Sequence, residues 1–139
     1  MNYATVADMR ARYRDDLLNS LLRRVGTAEL DTEKLERALT DASALIEGYL
    51  SARYALPLSA IPRLLTQHCC AIAFYYLNDE RATEQTTQRY KDALRWLNEV
   101  KNGDLQLGVD EDNLTPEGID LPQMVADAPV FSRKQQGFI

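Results

Sequence analysis

The chain is poor in the residues that most chemistry needs. Its 139 residues include one histidine, His68, and two cysteines, Cys69 and Cys70, adjacent to each other. Neighbours on a helix point about 100° apart, which disfavours an internal disulfide. Without a second cysteine pair there is no zinc framework. A His-Cys-Cys run on a helix fans out over about 200° and does not converge on one ion. Nor do adjacent helical residues face each other as a cysteine–histidine nucleophile pair would. The three residues therefore read as structural, with reduced thiols filling core space in a chain made in a reducing cytoplasm.

Other absences narrow the field further. There is no glycine-rich phosphate loop and no nucleophile elbow. Carboxylates are paired at Asp15-Asp16 and Asp79-Glu80, but both pairs fall where solvated helix caps and turns are expected. The run Asp110-Glu111-Asp112-Asn113 lacks the glycine and closing glutamate of a calcium loop. Neither catalysis nor a cofactor or metal is expected. The formal net charge is −5, so a sequence-independent grip on DNA is not favoured, although a local basic patch is allowed. No apolar run is long enough to span a bilayer, and Met1-Asn2-Tyr3-Ala4 does not open a secretion signal. No membrane association is expected.

What the chain does contain is helical periodicity. Thr5 and Asp8 have the spacing of a helix capping pair, and Val6, Met9 and Tyr13 follow at helical intervals. A second apolar series runs Leu17, Leu18, Leu21, Leu22 and Val25, with Gly26 at a helix end. Residues 5–25 are therefore one or two short helices, broken near Asp15.

The clearest signal spans 31–54. Asp31 is an N-cap, and Leu35, Ala38, Leu39, Ala42, Leu45, Ile46, Tyr49 and Leu50 form one stripe. Charged residues occupy most of the other face, so the stripe must be buried. Leu56-Pro57 stops this helix. Ile61-Pro62 opens the next, and residues 62–77 are apolar nearly all round. Such a helix is central in its domain or covered by a partner. Its three aromatics, Phe74, Tyr75 and Tyr76, cannot all face one way. Tyr75 or Tyr76 then anchors a neighbouring subunit, unless a further helix of the same chain covers them.

Asn78-Asp79 is a turn, and Thr83 caps a last helix over 84–102 with Tyr90, Ala93, Leu94 and Leu97 on its stripe. Beyond Gly103, alternation at Leu105, Leu107 and Val109 predicts a short strand, and acids and prolines then argue against regular structure. At the chain end Val130, Phe131, Phe138 and Ile139 surround Arg133 and Lys134. The expected fold class is all-α: a small helical bundle with two long antiparallel-packed helices, short N-terminal helices and an extended C-terminal arm. Residues 1–103 form the helical core domain and 104–139 a partly flexible arm. A three-helix core also admits a DNA reader, for which Gln85, Gln88 and Arg89 come nearest to a recognition face, with Arg10, Arg12, Arg14, Arg23 and Arg24 lending basic character.

Several blocks taken together resemble one family. They are Tyr3-Ala4-Thr5 with Asp8-Met9-Arg10-Ala11-Arg12-Tyr13; Ala38 through Leu50, running on to Arg53-Tyr54-Ala55-Leu56-Pro57-Leu58; Ile61-Pro62; Asp79 through Glu84; Arg89-Tyr90 with Ala93 through Leu97; and Val130-Phe131-Ser132-Arg133. The pattern is similar to the Mu-like prophage head–tail connector family over nearly the whole chain. Cys69-Cys70 and residues 110–128 match none of its motifs.

The resemblance implies a structural phage virion protein, a head-completion or adaptor subunit. It implies a homo-oligomeric ring of about twelve copies on the portal protein and a docking surface for the next tail-completion protein. It implies no catalytic residues. DNA would pass through the ring without specific binding, and an acidic chain suits such a channel. The location would be the virion, with assembly in the host cytoplasm. Subunit or portal contacts are expected at Tyr75, Tyr76, Phe131, Arg133 and Phe138. Phe131 would fill an apolar pocket and Arg133 would pair with a carboxylate, unless the arm folds back on its own core.

Overall fold

The computed structural model describes residues 2–108. Five α-helices follow in order: α1 Val6–Arg12, α2 Asp15–Leu22, α3 Thr32–Leu50, α4 Arg63–Asn78 and α5 Glu84–Lys101. A single 3₁₀ turn, Asp79–Arg81, links the last two. No strand occurs among the described residues, and the fold is all-α. The two long helices α3 and α4 pack along each other, α5 closes against both, and α1 and α2 lie across the α3–α4 pair.

Local sequence sets the helix starts. The Thr5 hydroxyl accepts from the Asp8 amide while Asp8 accepts from the Thr5 amide, a reciprocal capping box. Asp31 accepts from the Lys34 amide at 3.1 Å and Thr83 from the Thr86 amide at 3.1 Å. Each cap satisfies a donor that a helix start otherwise leaves open. Pro62 stands at the cap of α4, one position earlier than a first-turn proline.

The ends differ more from expectation. α3 stops at Leu50, four residues before 54. The amides of Arg53 and Tyr54 both turn back to the Leu50 carbonyl, and that tighter turn carries Tyr54 into the core. Gly26 does not cap a helix. α2 ends at Leu22, and residues 23–30 form a small hairpin held by an Arg23–Leu30 bridge and a bond from the Arg24 amide to the Glu29 carbonyl. Gly26 takes φ +79° in its tip, which places Val25 fully in solvent and outside the apolar stripe.

α5 ends where expected. Gly103 has φ +87°, a conformation that favours glycine, and the Arg53 guanidinium lies against it. The predicted strand is not formed over 105–108. Instead Leu107 is buried and its amide donates to the Tyr54 hydroxyl at 3.2 Å. Val109 lies outside the described residues.

One core runs through the bundle. Leu39, Ala42, Ile46, Ile72 and Leu97 are buried as their spacing predicts, and Leu35, Leu50, Leu65 and Val100 join them. Tyr49, Tyr90 and Leu94 pack against this core but remain half-buried. They sit at the edges of their stripes, where the helix surface turns toward solvent.

Candidate interaction surface

α4 lies between α3 and α5, so each of its sides meets something different. Leu65, Cys69, Ile72 and Ala73 fall inside the core. Near its C-terminus Phe74 is buried under Tyr13, the residue that follows α1, the two rings stacked 4.0 Å apart. Tyr75 and Tyr76 then emerge beside α5. Tyr75 stacks on Tyr90 at 4.0 Å and 6°, while Tyr76 tilts against Tyr90 at 6.1 Å. Burial pushes the Tyr76 pKa up to about 12, helped by the neighbouring Tyr90 and by nearby Asp41 and Tyr49. Tyr90 thus covers one ring face of Tyr75, and all three tyrosines keep part of their surface in solvent. Aromatic surface left in this state is the kind that partners cover.

A second feature lies farther back along α4. A cleft of about 500 Å³ opens between α4 and α5, walled by the end of α1 and lined by Arg12, Tyr13, Gln67, His68, Ala71, Arg89 and Asp92. His68 packs on Trp96, ring centroids 4.7 Å apart. Burial lowers its pKa, and Asp92 opposes that shift. Asp92 itself is occupied: it accepts from Gln88 at 2.9 Å and pairs with Arg95. Arg12 and Arg89 are exposed and have no ion-pair partner among the described residues. Tyr13, pushed up to about 12 by burial, is held down in part by both guanidinium charges.

The His68-Cys69-Cys70 run divides as helical geometry requires. His68 faces the cleft, whereas both cysteines are free and buried. Burial raises both thiols, Cys70 to about 12, so neither is a ready thiolate. Cys69 sulfur lies 3.6 Å from the Ser43 hydroxyl, which also accepts from the Tyr3 amide at 3.0 Å. No group of three His, Cys, Asp or Glu side chains could hold a metal among the described residues. Asp15 and Asp16 stand in the first turn of α2, paired with Arg10 and Arg14. Gln85, Gln88 and Arg89 are exposed on α5, but Gln88 is tied to Asp92, which leaves a poor reading face. No described helix is long and apolar enough to cross a membrane.

Of the residues expected at contacts, Tyr75 and Tyr76 share one surface, while Phe131, Arg133 and Phe138 lie outside the described residues. The cleft was not legible beforehand. Arg12, His68 and Arg89 come from three helices, and nothing in their separate surroundings links them.

A family model described as "Bacteriophage Mu, Gp36" matches residues 3–126. "Gene product J" of Escherichia phage Mu is 49% identical over 141 residues, covering 100% of both chains. "Mu-like prophage FluMu protein gp36" of Haemophilus influenzae is 38% identical, covering 99% of this chain and 98% of its own.

Proposed function

The chain belongs to the bacteriophage Mu Gp36 family, and from that premise we propose that it is a non-enzymatic structural protein of the virion, a head–tail connector subunit. It joins other copies in a ring on the portal protein and offers the opposite side to the next tail-completion protein. The ring holds about twelve subunits, as the resemblance to connectors implies. DNA passes through it without being read, and assembly takes place in the host cytoplasm.

The observation that carries this reading is the half-covered tyrosine surface at the C-terminal end of α4. A domain of this size closes its core with α3, α4 and α5 and still leaves Tyr75, Tyr76 and Tyr90 partly in solvent. Interfaces concentrate their binding energy in such aromatic anchors. The chain's own acidity supports a channel lining that repels phosphate. The arm tip, with Phe131, Arg133 and Phe138, supplies the contact to the portal or to an adjacent subunit.

Purified chain added to portal-bearing heads tests this directly. The expected result is a new ring layer on the portal in electron micrographs, and its loss when Tyr75→Glu and Tyr76→Glu are introduced together. Heads that gain no layer from the parent chain overturn the connector reading. A layer that survives both substitutions removes the tyrosine surface from it.

A further inference from the structure

The cleft beside His68 has no role in the reading above, yet its make-up is specific. Two guanidiniums, on α1 and α5, flank an aromatic wall formed by Tyr13 and His68. The acid that lines the cleft, Asp92, is already satisfied by Gln88 and Arg95. Unpaired arginines over an aromatic floor are suited to carboxylates, because the planar guanidinium accepts them bidentately.

The chain holds an acidic run that matches. Asp110, Glu111 and Asp112 are consecutive, whereas the pair Asp15-Asp16 is taken by Arg10 and Arg14. The run begins two residues after Gly108, so what it meets must lie close to that point. The four residues from Gly108 to Asp112 span at most about 14 Å. Leu107 is fixed to Tyr54, beside the end of α3, and Gly103 at the end of α5 lies against Arg53. Arg89 stands thirteen residues before Asn102, about 20 Å back along the axis of α5. That reach favours the cleft of an adjacent copy over the chain's own.

We propose that the Arg12–Arg89 cleft is a receptor for the acidic run 110–112 of a neighbouring subunit. The contact would lock successive copies head to tail, and a heterologous contact of that kind makes a ring when its rotation closes. It gives the start of the arm a subunit-to-subunit role, distinct from the tip. The head-to-tail role rests on the connector reading, but the docking itself does not need a portal to be observed.

The full chain with D110N, E111Q and D112N leaves its own cleft unfilled and is the receptor for the test. A labelled synthetic peptide of residues 106–116 is expected to bind it saturably, read by fluorescence anisotropy. Adding R12A and R89A should weaken that binding by about tenfold or more, as loss of charge-assisted pairs does. R63A, on the exposed start of α4, should leave it unchanged. Absence of saturable binding overturns the proposal, as does binding indifferent to Arg12 and Arg89.

Disulfide trapping decides between copies. A chain carrying Gln67→Cys and Glu111→Cys, oxidised at about millimolar concentration, the scale of a tethered neighbour, is expected to run as covalent multimers. A closed monomer would place the run in its own cleft and overturn the assignment to a neighbour. The buried native thiols should not contribute, and the parent chain run in parallel shows this. If the peptide binds but heads gain no layer, the connector reading fails while the cleft assignment stands.

Discussion

α3 and α4 are neighbours of similar length, and they solve opposite problems. α3 has one apolar stripe, and its outer face carries Glu33, Lys34, Glu36, Arg37 and Asp41 in solvent. α4 is apolar on nearly every side and finds a different cover for each: α3 for Ile72 and Cys69, Tyr13 for Phe74, Tyr90 for Tyr75, Trp96 for His68. A helix with one stripe needs one partner, and this bundle supplies it. A helix with no polar face needs a partner all round, and the bundle runs short at Tyr75 and Tyr76. The place where the fold fails to close is therefore the place where another molecule is expected.

The comparison predicts that truncation is costly on every side of α4 that the bundle covers, whereas α3 tolerates it on its outer face. Phe74→Ala should cost about 3–5 kcal/mol, since it removes a buried ring and strands Tyr13. A loss under ~1 kcal/mol by urea unfolding would mean that α1 is not a true wall of the core. On α3, Ile46→Ala should cost about 2–5 kcal/mol, while Thr40→Ala on its outer face should stay within about 0.5 kcal/mol. Equal melting temperatures for the two variants would erase the two-faced character of α3.

A smaller effect sits at the start of α3. Asp31 caps the helix and also lies within 3.8 Å of Arg37 and 3.7 Å of Arg24. Asp31→Ala should cost about 1 kcal/mol, nearly all of it from the lost cap, because exposed ion pairs contribute little. Thermal unfolding in low and high salt separates the two: a deficit that vanishes in molar salt would assign it to the ion pairs instead.

A further effect is on pH, and it belongs to the surroundings of α4. Tyr13, Cys70 and Tyr76 are all raised to about 12 by burial in the folded chain. The unfolded chain therefore loses these protons first. Their contribution is intact below about pH 8.5, where an unfolded thiol begins to ionise, and is lost as pH rises toward 12. Melting temperature should hold steady to about pH 8.5 and then decline. Y76F and C70A, which cannot ionise there, should each flatten part of that decline.

Periodicity made α3 and α5 legible because each must bury a stripe, an apolar run opened by Pro62 marked α4, and side-chain caps made the starts of α1, α3 and α5 legible because Thr5, Asp31 and Thr83 act within a single turn. Where sequence reasoning strayed, the cause was an interaction between distant parts. Gly26 has the look of a helix cap, but the chain after Leu22 pairs with itself across Arg23 and Leu30. Leu105 and Leu107 alternate like a strand, but no other strand is present among the described residues to pair with, and Tyr54 takes the Leu107 amide. That Phe74, Tyr75 and Tyr76 face different ways was legible because it follows from one run of residues on a helix. The cleft was not, since it exists only once α1, α4 and α5 have met.

The segment before α1 carries a consequence for how firmly the bundle is held. Tyr3 is buried, its amide donates to Ser43 on α3, its hydroxyl donates to Glu47, and its carbonyl accepts from Thr66 on α4 at 2.8 Å. Those partners lie 40 to 63 residues later in the chain. A single residue ahead of the first helix thus ties α3 to α4 through three separate polar contacts and a buried ring. Trimming or fusing the chain at this point would reach past α1 and loosen the pairing of the two longest helices.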